Sequence, residues 1–389
     1  MHVLILPSWY PADDFDINGV FFREQAVALK KQGLSIGVIS ISLLSLRKLT
    51  NIFGFKNTSV AVSEESGIPT YRKAYRNWLY KIPILGKARY LSVAKRLFLR
   101  YIQEQGTPDI IHVHSILDAG IAAKYINARY GIPYVLTEHS SSFARNLLSQ
   151  RELKIIQKVA EKSACNIAVS SRFAALLHTK TGLDWNVIPN IVHNQFFQNI
   201  TRTVDQSIFT FINVCFLNEN KKVDLLIKSF SSAFKGNFKI QLSIGGTGDQ
   251  LDKLKQLATD LGVNKQVTFL GALSRDQVRE KVANAQVFVL SSKVETFGVV
   301  LIEALALGKP VISTRSGGPE DIVEEQNGLL VPTNDVGALA DAMQYMVDNY
   351  HKFNQNEIQQ RCYKKYSEES VGKALEELYW QVLKQDKTT

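Results

Sequence analysis

The sequence predicts two doubly wound α/β domains, each a parallel sheet wrapped by helices. At 389 residues the chain is longer than one hydrophobic core usually holds. Short apolar runs alternate along it with stretches of helical periodicity, which is how strands joined through crossover helices read. Several of those runs, Val287–Leu290 among them, are apolar at every position, as strands buried on both faces of a sheet are. A composition of 45% hydrophobic and 21% charged residues supplies enough apolar surface for two such cores.

The elements follow in order. His2–Pro7 is an apolar strand, and the loop Ser8-Trp9-Tyr10-Pro11 through Asn18-Gly19 leads into a helix over Val20–Gln32, stopped by Gly33. Strand, loop, helix is how an open α/β sheet begins, with its ligand crevice expected at the carboxyl end of the strand. Ile36–Ser40 and Ile110–His114 are the next buried strands, and Gly131–His139 holds another that also finishes in a histidine. A lone histidine is commonly structural, whereas His114 and His139 both close strands on what should be the same sheet edge. Asn166–Ser170 is a short strand. The polar run Gln198–Ser207 lacks apolar periodicity and is the expected linker, with domains over 1–197 and 207–367.

The second domain opens with the strand Phe209–Phe216, the loop Leu217–Lys222 and the helix Val223–Phe234. Strands follow at Lys239–Gly245, Gln266–Leu270, Val287–Leu290 and Val311–Thr314, and Gly245-Gly246-Thr247-Gly248 is a glycine turn taken as scaffold. Phe297–Leu307 is a helix, apolar almost throughout and closed by Gly308 and Pro310. Glu303 stands in its middle, where an ionised carboxylate costs several kcal/mol unless something satisfies it. The expectation is that a bound ligand supplies that partner. Glu295 precedes the helix, so the rise of about 1.5 Å per residue places the two acids on the order of 10 Å apart. Between them the amides of Phe297, Gly298 and Val299 form a helix N-terminus, an anion seat suited to a diphosphate, with Gly298 allowing close backbone approach.

Glu295 and Glu303 within ETFGVVLIEALALGKPVI, followed by Ser316-Gly317-Gly318-Pro319, resemble the signature of family 4 retaining glycosyltransferases of the GT-B fold. SWYP…NGVFFREQA resembles the first loop of bacterial polysaccharide-biosynthesis members. The resemblance implies two Rossmann-like domains facing across a cleft, the N-terminal one on the acceptor side, with the terminal helix (368–389) returning to it. It implies a nucleotide-diphosphate sugar donor and a glycan or lipid-linked acceptor. It implies that Glu295 contacts the donor sugar and Glu303 the ribose, that Gly19 lies against the diphosphate, that His139 lies beside sugar and phosphate, and that His114 points into the cleft. Lys221 matches a phosphate-binding lysine, while Phe216 stands where the family usually carries an arginine. Val187-Ile-Pro-Asn190 resembles the boundary segment, with Ile191 and His193 departing from it. No metal and no other cofactor is expected, cationic side chains taking the ion's place, and Asp13-Asp14 is taken as a surface-loop pair.

The net charge of +10 is unevenly placed. Between Tyr71 and Tyr101 stand nine Lys or Arg and no Asp or Glu, threaded with aromatic residues. Arg72, Arg76, Trp78 and Lys81 are the candidate acceptor-side or membrane-side residues, and an anionic membrane surface is a candidate partner, each cation near it contributing about 1 kcal/mol. The alternative is a solvated helical face. No nucleic-acid recognition motif accompanies the charge, so nucleic acid is not expected. No apolar run is long enough to span a membrane and no signal-peptide pattern opens the chain. The three cysteines, Cys165, Cys215 and Cys362, have no paired spacing, which argues against disulfides and zinc and for a cytoplasmic setting, peripheral on the inner face of the membrane if the basic segment docks there. A nucleotide-sugar epimerase on the same plan and a non-catalytic sugar-nucleotide-binding subunit remain alternatives, the latter because of Phe216.

Overall fold

The computed structural model describes residues 1–12, 16, 19–44, 60–76, 83–198 and 207–386. Contacts divide the chain into two compact units: Met1–Val169 with Ala174–Pro189 and Val371–Thr389, and Ser170–Phe173 with Asn190–Ser370. The chain changes unit at Pro189/Asn190, ahead of the break expected at 198–207, most of which lies outside the described residues.

The first unit is an eight-stranded sheet of β1 (His2–Pro7), β2 (Ser35–Leu44), β3 (Ala61–Glu65), β4 (Ile68–Arg76), β5 (Ile110–His114), β6 (Tyr134–Glu138), β7 (Cys165–Ala168) and β8 (Asn186–Val187), in the order β3-β4-β2-β1-β5-β6-β7-β8. Every pairing is parallel except β3 with β4. β5 and β6 are buried at every position, so their polar members have no water to face and must bond within the fold. The chain order reverses between β1 and β5, and such a switch point opens a crevice at the carboxyl ends of its strands.

The β3–β4 hairpin is new relative to the sequence reading. Ser66 and Gly67 join its strands with φ of 51° and 74°, the two positive values that a tight two-residue hairpin turn requires. β3 is an exposed edge strand bearing Glu64 and Glu65, charges that deter pairing with another edge. The basic segment therefore begins as a strand, and becomes helical only over Pro83–Gln105.

The second unit is a six-stranded, wholly parallel sheet of β9 (Phe209–Val214), β10 (Ile240–Gly245), β11 (Val267–Gly271), β12 (Val287–Leu290), β13 (Val311–Thr314) and β14 (Gly328–Val331), in the order β11-β10-β9-β12-β13-β14. Phe211, Phe230, Phe234 and Met343 sit in a core formed between the sheet and the helices Val223–Phe234 and Val336–Asn349. The switch point lies between β9 and β12, so the loops leaving these two strands should carry the site.

Candidate active site

Those two loops, 215–222 and 291–298, are joined to each other by hydrogen bonds. Lys293 N–H donates to Asn220 O at 2.7 Å, Asn220 Nδ2 donates to Val294 O at 2.9 Å, and Ser291 Oγ donates to Lys221 O at 2.9 Å. The result brings Lys221 Nζ to 2.5 Å from Glu295 Oε1, with the two side chains 22% and 13% exposed. Burial pulls the Lys221 ammonium down, but the charge and hydrogen bond of Glu295 outweigh it, so the lysine stays protonated above its ordinary value. A glycine turn supports the first loop from behind. A Cβ on Gly246 would lie 1.9 Å from Cys215 O and one on Gly248 2.2 Å from Leu217 O, so only glycine lets the backbones touch.

Ser316-Gly317-Gly318 does the same for the second loop. Glu295 N–H donates to Ser316 O at 2.8 Å and Gly318 N–H to Glu295 O at 2.9 Å, while a Cβ on Gly318 would lie 2.2 Å from Phe297 Cα. The sequence showed this motif without its purpose, which is to fix Glu295. The helix begins at Val299, two residues later than the sequence predicts, because Gly298 caps it with φ 107°. Phe297 and Gly298 thus precede the helix, and Val299 opens its first turn, whose amides have no intrahelical acceptors.

Glu303 corrects an expectation. It is buried in this helix (Val299–Ala306), but its partner comes from the protein itself: Arg275 Nη2, at the start of the helix Arg275–Asn284, lies 3.2 Å from Glu303 Oε1. Burial raises the carboxyl above its ordinary value and Arg275 draws it part of the way back. The guanidinium also lies 5.3 Å from the Phe196 ring centroid. Glu303 therefore does not need a ligand to be tolerated. Nothing in the sequence near Glu303 signals this arginine.

Phe216 is 51% exposed on the Lys221 loop. Its neighbours Asn218 and Lys222, with the nearby helix amides, are the groups that could stand in for the missing arginine, and both side chains have partners within the protein. Asn218 Oδ1 accepts from Asn220 and Lys221 amides at 3.0 and 3.3 Å, and Lys222 Nζ lies 3.4 Å from Asp224.

In the first unit His114 and His139 come together, His114 Nδ1 lying 3.2 Å from His139 Nε2. Phe22 stacks on His114 at 4.6 Å and Phe21 lies 5.0 Å from His139. Burial, then the neighbouring imidazoles, holds His114 well below its ordinary pKa, so it is neutral. Glu138 organises the strand end. Its carboxylate accepts from the amides of Ile116, His139 and Ser140 at 2.9, 2.8 and 2.8 Å, which fixes the backbone that aims His139. Gly19 caps the helix Val20–Lys31 with φ 76°, and a Cβ there would meet Trp9 and Phe22 at 3.0 Å.

Of the basic residues, Arg72 forms a two-point ion pair with Glu65 of β3 at 2.6 and 2.7 Å and lies over Tyr10. The acid comes from outside the segment, where the charge count of the segment could not show it. Arg76 ends β4, its side chain lying outside the described part, and Trp78 and Lys81 lie outside the described residues. The first loop does contain one Asp-x-Asp spacing, Asp14-Phe15-Asp16. Asp14 lies outside the described residues, and Asp16 accepts from Ala12 N at 3.0 Å. Among the described residues no group of three or more His, Cys, Asp or Glu is placed to hold a metal ion. No described helix is long and apolar enough to cross a membrane.

Known families match both halves. Residues 54–196 match the family described as Glycosyltransferase Family 4, and residues 195–366 match Glycosyl transferases group 1. The chain belongs to glycosyltransferase family 4. The transferase is 26% identical over 361 residues to the putative teichuronic acid biosynthesis glycosyltransferase TuaC of Bacillus subtilis, covering 88% of each chain. It is 28% identical over 293 residues to the N-acetyl-alpha-D-glucosaminyl L-malate synthase of Bacillus anthracis, covering 72% of this chain and 76% of that one. Among solved structures, sucrose-phosphate synthase from Thermosynechococcus elongatus superposes with a TM-score of 0.80 at 19% identity over 99% of both chains. HepE of Anabaena, solved with UDP, superposes at 0.76 and 18% identity over 98% of this chain and all of that one. At these identities the likeness speaks for the fold, which is GT-B. The transferase thus carries its Lys221–Glu295 pair at the switch point of the domain matched as group 1.

Proposed function

We propose that this transferase moves a sugar from a nucleotide-diphosphate sugar to a glycan or lipid-linked acceptor in polysaccharide assembly, with retention at the anomeric carbon and without a bound metal. One observation carries the reading: a half-buried lysine and glutamate held together beside a helix N-terminus at a sheet's switch point. When the anomeric C–O bond breaks, its electron pair stays with the leaving diphosphate. Lys221 and the amides of Phe297–Val299 stabilise that charge, and Glu295 orients the sugar hydroxyls and offsets the positive charge building on the ring. Glu303, His139 and Gly19 keep the contacts the family resemblance implies. For Glu303 that means sharing its carboxylate between Arg275 and a ribose. The relatives named for teichuronic acid and for a glucosaminyl malate support the transfer, and HepE's UDP supports the donor class.

Thermal stabilisation by UDP, GDP, ADP and their sugars identifies the donor, because a ligand stabilises in proportion to its occupancy. Stabilisation by one of them is expected, and its absence for all three sets removes the donor. NMR of the product settles the anomeric configuration, and inversion removes the retaining assignment. Activity is expected to persist in EDTA; loss in EDTA with recovery on added Mg²⁺ removes the metal-free one. Phe216, in place of the usual arginine, is the observation behind a second reading, a subunit that binds donor without turning it over. Release of free nucleoside diphosphate with acceptor excludes that reading, and also excludes an epimerase.

A further inference from the structure

The carboxyl end of β5 carries a feature that the donor chemistry does not use. Ser115 and Asp118, neither of them glycine, both have positive φ, 64° and 62°, and Asp118 with ψ −65° adopts a tight γ-turn geometry that is rare and strained. The turn is built deliberately. Ser8 Oγ from the loop after β1 donates to Ser115 O and to Leu117 O, and Glu138 accepts from Ile116 N–H and Ser115 Oγ. Its effect is to present Asp118 at the switch point between β1 and β5.

The helix Pro83–Gln105 packs against both this turn and β4, and Lys87, Tyr90 and Tyr75 of β4 lie near enough to feel the Asp118 charge, Lys87 facing Glu152 as well. Burial raises the Asp118 carboxyl above its ordinary value and the Lys87 charge draws it part of the way back. Asp118 in turn raises the phenols of Tyr75 and Tyr90, after burial, which is the larger cause in both. Among the described residues no hydrogen bond or ion pair closes on the Asp118 carboxylate, and the buried Tyr90 hydroxyl has no partner. A half-buried acid and an orphaned phenol, held at a switch point by a strained turn, are the mark of a polar ligand site.

We propose that Asp118, Lys87, Tyr75 and Tyr90 form a saccharide-binding subsite for the acceptor, Asp118 accepting from sugar hydroxyls and Lys87 pairing with an acidic substituent. The acceptor is thus an acidic saccharide, bearing either a phosphate ester or a carboxylate. That this saccharide is the acceptor rests on the glycosyltransferase reading; that it binds here does not.

The test is calorimetry on the full chain with three probes: α-D-glucose 1-phosphate, methyl α-D-glucuronide and neutral methyl α-D-glucoside, each with UDP binding measured alongside. Wild type should bind at least one acidic probe more tightly than the neutral one, and which one distinguishes phosphate from carboxylate. Asp118→Asn, a residue tolerant of positive φ, and Tyr90→Phe should weaken all bound probes about tenfold, while Lys87→Met weakens the acidic ones alone. UDP affinity should not change in any of them. No binding of any probe by wild type overturns the subsite, as does wild-type affinity in both Asp118→Asn and Lys87→Met. Saccharide binding with no response to any nucleotide overturns the donor reading and leaves the subsite standing.

Discussion

Lys221 Nζ lies 2.5 Å from Glu295 Oε1, so a cation from the loop after β9 and an anion from the loop after β12 meet at the one place where the second sheet reverses its strand order. The pair serves two ends. It neutralises two charges that the site keeps largely from water, and it sets side by side a group suited to a phosphate and a group suited to a sugar cation.

The first prediction separates these ends. Glu295→Gln keeps size and hydrogen bonding but removes the charge that offsets the developing sugar cation. Turnover should fall at least ~100-fold, which is about 2.7 kcal/mol of transition-state stabilisation. Because the variant frees Lys221, affinity for UDP should stay within about threefold of wild type. Loss of one buried partner costs on the order of 1–3 kcal/mol, a melting-temperature drop of several degrees. Full activity in a kinetic assay would refute the assigned role.

Lys221→Ala should show the converse split. A charge-assisted contact to phosphate is worth roughly 1.5–3 kcal/mol, so the dissociation constant for UDP should rise about 10- to 150-fold. Phe216 makes this lysine more important, because no arginine shares the diphosphate with it from that position. Calorimetry giving unchanged affinity would remove Lys221 from the donor site.

How far the sequence carried this depends on burial. β1, β5, β12 and β13 fall where their apolar runs place them, since a strand buried on both faces has no polar alternation to blur its limits. The hairpin escaped because β3 is an exposed edge and β4 carries Arg72, Lys73 and Arg76, which resemble a solvated helix more than a strand. Lys221 and Glu295 were legible as motif residues, but their ion pair was not. Arg275 and Glu65 were invisible as partners, because a contact between distant segments leaves no periodicity in either. Asp118 was missed for a related reason: its backbone geometry is imposed by Ser8 and Glu138, which lie far from it in sequence.

If an anionic membrane surface is a partner, the helix Pro83–Gln105 is the element expected to meet it, since Arg72 is already paired with Glu65. Its exposed face bears Arg89, Arg96 and Leu99, whereas Arg100 is engaged by Glu104 at 2.7 Å. At about 1 kcal/mol per cation near an anionic surface, Arg89→Gln with Arg96→Gln should weaken binding to phosphatidylserine or phosphatidylglycerol vesicles roughly 30-fold. Flotation should show wild type with anionic vesicles, released by salt, and none with neutral ones. Wild type that stays at the bottom of the gradient sinks the membrane partner.

His112 is buried, with Nδ1 2.6 Å from Tyr379 Oη of the terminal helix and Nε2 2.7 Å from Thr137 Oγ1. Burial lowers its pKa from 6.5 to about 3, and lowers that of His114 in the same sense. In the unfolded chain both imidazoles take up protons below pH 6.5 and in the folded chain they do not. Their contribution to stability is therefore complete above pH 6.5 and lost as pH falls toward 3, at up to about 1.4 kcal/mol per pH unit for each. Glu138, pushed up by burial, works the other way, its contribution being present below about pH 4.5 and lost as pH rises above it. The difference between wild type and His112→Asn isolates the histidine from that opposing slope. The described tryptophans, Trp9, Trp185 and Trp380, belong to the first unit, so their fluorescence follows the unfolding of that unit. Urea denaturation at pH 7, 6 and 5 should show the variant losing less stability on acidification than wild type, by about one proton's worth of slope below pH 6. Equal slopes would mean that the imidazole is protonated in the folded protein, and that the terminal helix is not held by a neutral His112–Tyr379 bond.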